Sequence, residues 1–334
     1  MAMTNRQLKL AQRPNGLVDE ATIEHAEHEP PEPRDGQALV RVELLSIDPT
    51  IRTWMDDVPG YLPPIALGEV VRSVGIGEVV ASNAPDLPAG SRVFGLVGWQ
   101  DYAALDAATL TPVPDGADPQ KVLNLLGITG LTAYFGLLDV GRIGEGDNVL
   151  VSGAAGATGS VGGQLARVNG AGKVVGVAGS SEKCAWLTDE LGFDAAIDYK
   201  SDDVTARLDE EFPEGIDLYF DNVGGELLDH VLARIANHAR IVLCGAISAY
   251  TDHSKHAPIR NHINLITRRG TMQGLIILDY ADRYAEAHAE LSRLEAEGAI
   301  KTREHVVDGL EQAPEALNML FTGANTGKLM VRVR

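Results

Sequence analysis

The stretch NVLVSGAAGATGSVGGQLARVNG at 148–170 constrains the fold more than any other part of the chain. Residues 148–152 form a short apolar run that reads as the first strand of a parallel sheet. Gly153, Gly156, Gly159 and Gly162 follow three apart, and 164–168 continue at helical spacing. Strand, glycine turn and helix in that order let a backbone approach a pyrophosphate with no side chain between, at a helix start whose free N–H groups and dipole favour an anion. The spacing is GxxGxxG, a variant of the GxGxxG dinucleotide fingerprint. The same glycines also fit a tight packing corner of small residues, and the surrounding chain decides between the two.

Downstream, strands and helices alternate: strand 173–178, helix 182–191, strand 195–198, helix 202–211, strand 216–220, helix 226–235, strand 240–244 and strand 271–278, then a long amphipathic helix over 282–297. Strands separated by helices of this length imply right-handed crossovers and a doubly wound parallel sheet. Upstream the pattern is different. Residues 37–45 alternate as a half-buried strand does, and short strands around Val70 and Val79, at 93–96 and at 102–105 are punctuated by Gly and Pro. They predict a small barrel-like domain up to about Pro114. A helical stretch at 118–140 bridges the two parts, and the tail, a helix near 311–321 and a strand at 328–333, returns to the first domain. The expected fold class is α/β, a Rossmann doubly wound parallel sheet plus a smaller β-barrel-type domain.

Composition removes several functions. A net charge of −19 over 334 residues repels nucleic acid and anionic membrane alike, and fits either a surface kept soluble in high salt or an ordinary acidic bacterial protein. Two cysteines, Cys184 and Cys244, are too few for a disulfide framework or a four-cysteine zinc lobe. The nine histidines are scattered without HExxH, and the pair His253 and His256 sits in a polar loop, so no metal is expected. No apolar run approaches the roughly 20 residues of a membrane helix, and the N-terminus lacks the apolar centre of a signal peptide. The expectation is a soluble, cytoplasmic protein.

The chemistry is read at the strand ends. After Val177 an NAD enzyme would place a carboxylate for the ribose 2′-hydroxyl; here Gly179, Ser180 and Ser181 follow, with Lys183 behind, a set that accepts a 2′-phosphate and favours NADPH. For Lys183 alone the alternative is a solvated side chain in a first helical turn. Asp221 to Gly225 and Cys244 to Ser248 end the next strands and should line the nicotinamide side. Asn222 suits either ribose or ring, or else a helix cap; Cys244 reads as a core thiol. With no Lewis acid, hydride addition to an alkene conjugated with a carbonyl is the easier reaction, because its charge moves to an enolate oxygen that a phenol can hold. Tyr250 is the candidate donor, the alternative being a surface aromatic in a loop.

Over essentially its full length the chain resembles the zinc-independent medium-chain dehydrogenase/reductases, within them the prostaglandin reductases (leukotriene B4 dehydrogenases), curcumin reductases and alkenal double-bond reductases. The resemblance is carried by SIDPTIR at 46–52, YLPPIALGEVVRSVGIGEVVAS at 61–82, LGITGLTAYFGL at 126–137, AAGATGSVGGQLA at 154–166, YFDNVGGE at 219–226, CGAISAY at 244–250 and GKLMVRV at 327–333. It implies a GroES-like catalytic domain built from both chain ends (1–124 and 296–334), a Rossmann domain at 125–295, NADPH, reduction of α,β-unsaturated aldehydes or ketones, and a homodimer. By the same resemblance Gly156, Ala157, Thr158, Gly159 and Ser160 take the pyrophosphate, and Lys183 and Tyr199 the 2′-phosphate end. Asn222, Cys244, Gly245, Ala246, Ile247, Ser248, Met272, Gly274, Leu275 and Asn325 belong to the nicotinamide side, Tyr250 to the substrate carbonyl and Tyr61 to the same cleft. Asp48 and Pro49 occupy the place of the catalytic cysteine of zinc-dependent relatives. Thr251, Asp252 and His253 depart from the asparagine-led loop common in the group, at the rim of the substrate pocket. The rival readings are a quinone reductase of the same superfamily and an NADPH-binding module without turnover.

Overall fold

The computed structural model describes residues 3–252 and 258–334; the pair His253 and His256 lies outside them. The chain opens with β1 (Asn5–Leu10) and β2 (Ile23–His28), an antiparallel pair. β3 (Gln37–Ser46), β4 (Gly75–Ser82), β5 (Arg92–Gly95), β6 (Tyr102–Asp106) and β7 (Thr111–Pro112) follow. β3 is the spine of this sheet, antiparallel to both β4 and β6, with Val40, Val42 and Leu45 buried against Leu8, Leu10 and Trp99. At Gly77 a Cβ would lie 2.3 Å from the Arg41 carbonyl, so only glycine lets β4 close onto β3 there. The strand expected near Val70 is reduced to one bridge with Lys9, since Gly68 at φ +84° turns the chain just before it.

The helical stretch expected over 118–140 is broken. Helix Pro119–Leu123 stops, and helix Ile128–Phe135 starts afresh, with a wider last turn over Gly136–Val140. The reason is steric: Cβ atoms at Gly127 and Gly130 would meet the carbonyls of Leu123 and Leu125 at 2.7 and 1.9 Å, so the chain folds back tightly on itself. The leucine spacing runs across this break without registering it.

β8 (Asn148–Val151), β9 (Lys173–Ala178), β10 (Ala195–Asp198), β11 (Ile216–Asp221), β12 (Ile235–Leu243) and β13 (Thr271–Gly274) form a six-stranded sheet in the order β10-β9-β8-β11-β12-β13. Every neighbouring pair is parallel. Helices cover both faces, one core gathering Leu137, Val161, Leu165, Phe220 and Leu291, the other Val177, Leu208, Tyr219 and Val231. The order reverses between β8 and β11, the crevice where open α/β sheets bind ligands. Three boundaries around β12 and β13 differ from expectation, β12 itself starting at Ile235 in place of 240. Helix Gly225–Leu232 is shorter, because Ile235 already begins β12. β13 ends at Gly274, because Leu275 and Ile277 turn into the core and Tyr280 stacks on Phe135 at 4.5 Å.

After the amphipathic helix Tyr284–Ala296 come β14 (Glu304–Asp308), helix Ala313–Thr322 and β15 (Lys328–Arg332). β15 pairs parallel with β14 and antiparallel with β3, placing Met330 opposite Ser46. The tail therefore completes the sheet that the first hundred residues begin, a mixed sheet separate from the parallel one.

Candidate active site

The glycine turn sits where β8 hands over to helix Ala157–Val168. Gly153 lies at φ +57°, and Gly156 caps the helix in an extended conformation, so the first N–H groups of the helix face out of the turn. Gly159 is required by contact: a Cβ there would lie 2.4 Å from the Gly153 carbonyl and 2.8 Å from Ala154 Cα. Ser160 is buried and its hydroxyl donates to the Ala157 carbonyl at 3.3 Å. Its side chain belongs to the helix, and what it offers an anion is the backbone.

Ser152 and Asp221 lock the crevice. Asp221 Oδ1 accepts from Ser152 Oγ (2.9 Å), Tyr219 OH (2.7 Å) and the N–H groups of Val223 and Gly224 (2.9 Å each). Burial pushes its carboxyl up and those donors hold it back, with the net shift upward. Asp221 is thus the internal brace of the loop. Asn222 donates its amide to the Ser152 carbonyl at 2.8 Å and its N–H to Ser152 Oγ at 2.8 Å, tying β11 to β8 at the point where the sheet order reverses. Gly224 and Gly225 both take φ above +60°, and a Cβ on Gly225 would meet Ser248 Oγ at 2.7 Å.

The turn after β12 packs onto that brace. The N–H groups of Cys244 and Gly245 donate to the Asp221 carbonyl at 2.8 and 3.0 Å, and Ser248 Oγ to the Val223 carbonyl at 2.7 Å. Cys244 is half-buried, packed against the sheet core, and burial pushes its thiol up to about 12. Tyr250 OH accepts from the Ala246 N–H at 3.0 Å, which holds the phenol over the loop while leaving its own hydrogen to be donated. Burial raises its pKa, the Ala246 bond opposes this, and Cys244, Tyr61 and Asp221 add to the rise. Tyr61 is nearly half exposed at 48%, bonded to Thr50 Oγ1 at 2.7 Å and edge-on to Trp54. Met272 and Gly274 lie on β13, beside this turn, and a Cβ on Gly274 would meet nothing within 4 Å.

At the far end of the crevice the Ser180 hydroxyl caps helix Ser181–Asp189 by accepting from the Lys183 N–H at 3.3 Å. The Tyr199 ring lies over Gly179, where a Cβ would come within 2.8 Å of it. Lys183 Nζ donates 2.8 Å to the Gly323 carbonyl, in the turn that also holds Asn325. Asn325 is buried and its amide donates to the Gly327 carbonyl at 3.1 Å; Gly327 bridges to Gly156 and donates to the Ala155 carbonyl at 2.8 Å. The C-terminal turn thereby seats directly on the glycine turn. Lys200, which its position next to Tyr199 in the chain does not single out, joins this end of the crevice.

Asp48 is occupied otherwise. It accepts from Ser46 Oγ and pairs with the buried ammonium of Lys328. Among the described residues no group of His, Cys, Asp and Glu is placed to hold a metal ion.

A six-stranded doubly wound sheet, a glycine turn at its switch point and a second sheet completed by the tail together define a nucleotide-binding oxidoreductase with two-lobed architecture. The chain belongs to the medium-chain dehydrogenase/reductase family, in its zinc-independent group. Residues 6–113 match the family model described as the N-terminal domain of oxidoreductase, and 157–293 the one described as zinc-binding dehydrogenase. The NADPH-dependent curcumin reductase of Escherichia coli is 39% identical, covering 98% of this chain and 97% of its own. The NADP-dependent 2-alkenal reductase of Nicotiana tabacum is 38% identical over 88% of this chain and 87% of its own. The crystal structure of CurA from Vibrio vulnificus in complex with NADPH superposes with a TM-score of 0.94 at 39% identity, covering 98% of this chain and 99% of that one.

Proposed function

We propose that the protein is an NADPH-dependent reductase of the C=C bond in α,β-unsaturated ketones and aldehydes. The observation that carries the reading is the Tyr250 phenol, held by the Ala246 N–H over the loop at the nicotinamide end with its own hydrogen uncommitted. The residues also fit a phosphorylated dinucleotide: the glycine turn leaves no room for a Cβ at Gly159, and the second strand ends in Gly179 and Ser180 with lysine nearby where NAD enzymes place an acid. Likeness to the curcumin and alkenal reductases supports the substrate class.

Bound NADPH supplies a hydride to the β-carbon. The chain does the rest: the glycine turn and Lys183 with Tyr199 hold the two phosphate ends, and the loops of Asn222, Cys244 to Ser248 and Met272 to Leu275, with Asn325, set the ring. Tyr250 donates a hydrogen bond to the oxygen on which enolate charge develops, and Tyr61 lines the same cleft. The same reading divides the chain at 1–124, 125–295 and 296–334. It also makes the protein a cytoplasmic homodimer paired along β13, whose Thr271, Gln273 and Gly274 are exposed at the sheet edge. No helix among the described residues is long and apolar enough to cross a membrane.

The test follows loss of NADPH absorbance with an unsaturated ketone, its saturated analogue and a quinone. Turnover of the unsaturated ketone alone, with the saturated ketone as product, supports the proposal. Faster turnover of the quinone would make this a quinone reductase, and tight NADPH binding with no turnover of any of the three a binding module. Sedimentation velocity reads the dimer.

A further inference from the structure

Lysine is scarce in this chain, eight residues against twenty arginines. Two of the eight converge on one spot. The point where a Cβ would sit on Gly323 lies 3.7 Å from Lys200 Nζ and 3.8 Å from Lys183 Nζ. Gly323, at φ +74°, ends helix Ala313–Thr322, so the lysines meet at the negative end of its dipole. Lys183 alone takes the Gly323 carbonyl; Lys200 is exposed and stands 5.9 Å above the Tyr199 ring.

The partners are as telling as the positions. Carboxylates outnumber cations 47 to 28, and ion pairs stud the surface. Yet among the described residues neither Lys183 nor Lys200 has a carboxylate within ion-pairing distance. One carbonyl cannot satisfy two ammonium groups, and the helix end and the Glu182 charge offset their mutual repulsion without an ion pair to either. Consistently, burial and then Lys200 both lower the pKa of Lys183. A compact dianion placed between the two ammonium groups would relieve both burdens, whereas a hydroxyl would relieve neither.

The geometry points to Lys200 as a second cation, beside Lys183, for the adenosine 2′-phosphate, and so as a residue that sets preference for NADPH over NADH. This inference rests on the proposed NADPH reading and adds to it a specificity residue. Lys200 lies on the exposed turn after β10 and holds no element in place, so its replacement leaves the fold intact.

The test measures dissociation constants of NADPH, NADH and adenosine 2′,5′-bisphosphate by fluorescence titration of Lys200→Ala, Lys200→Arg and Lys183→Ala. Lys200→Ala is expected to weaken NADPH and the bisphosphate about tenfold while leaving NADH unchanged, with Lys200→Arg restoring most of the loss. If Lys183→Ala weakens NADPH selectively but Lys200→Ala weakens neither cofactor, or both alike, the second-cation role is overturned and the NADPH reading stands. If Lys183→Ala and Lys200→Ala both fail to discriminate, and the wild-type protein binds NADH as well as NADPH, the NADPH reading itself falls.

Discussion

Lys328 Nζ reaches Asp48 Oδ1 across 2.5 Å, joining the last strand of the chain to the turn that leaves β3. The lysine is 2% exposed along its side chain and the carboxylate 19%, with Ser46 Oγ on the other carboxylate oxygen. A pair this buried is costly to break from one side, because the surviving charge keeps its desolvation and loses its partner. Lys328→Met is therefore expected to lower the unfolding free energy by about 3 kcal/mol. Urea titration of the single variants and of a Lys328→Met, Asp48→Leu double variant checks this, the double variant recovering part of the loss.

Tyr250→Phe removes the proposed donor to the enolate oxygen and leaves the ring in place. Turnover is expected to fall about 100-fold, within the range for removal of a positioned acid, with NADPH affinity unchanged. Because burial raises the phenol above its ordinary value of about 10, the hydroxyl stays protonated throughout the neutral and mildly alkaline range. Activity lost by its ionisation should appear only above about pH 10, on the alkaline side. A pH profile of turnover that falls between pH 7 and 9 would remove Tyr250 from this role.

Gly159→Ala tests the glycine turn. The added methyl would face backbone atoms, the Gly153 carbonyl and Ala154 Cα, which cannot swing aside as a side-chain tip can. The helix must move away from the turn, at an overpacking cost of about 2 kcal/mol. NADPH affinity and thermal midpoint should fall together, measured by titration and by calorimetry.

The two cysteines should be poor nucleophiles. Burial pushes the Cys184 thiol up to about 11 and the Cys244 thiol up to about 12, nearby carboxylates adding to both shifts. At pH 8 the thiolate is a minor species for each, so reaction with a disulfide reagent should be slow in the native protein and become stoichiometric at two thiols on denaturation. Fast native labelling of either would contradict the burial argument.

Much of the parallel sheet is legible in the residues because its central strands β8, β9 and β11 are buried on both faces and read as largely apolar runs. β9 and β10 begin and end where the sequence places them. The break at 124–127 is not legible, since leucines continue at helical spacing on both sides and only Gly127 and Gly130 hint at the tight reversal. β14 has just two apolar residues, Val306 and Val307, and its pairing with β15 is what makes it a strand. At the site, spacing leads to the glycine turn and to the strand-end loops. It does not disclose that the Asn222 amide is spent on Ser152, that the Ser160 hydroxyl folds back on its own helix, or that Lys200 meets Lys183 over Gly323. Those depend on segments more than sixty residues apart, or on rotamers, and neither leaves a local pattern.

The placement of β15 between β14 and β3 has a consequence for synthesis. β6 closes the edge of β3 over 37–41, but 44–46 must wait for 330–332 before theirs is closed, while the nucleotide sheet has all six strands available by residue 274. The first lobe is thus the last to be finished, and a chain lacking β15 would leave the 44–46 edge of β3 ready to pair with another copy.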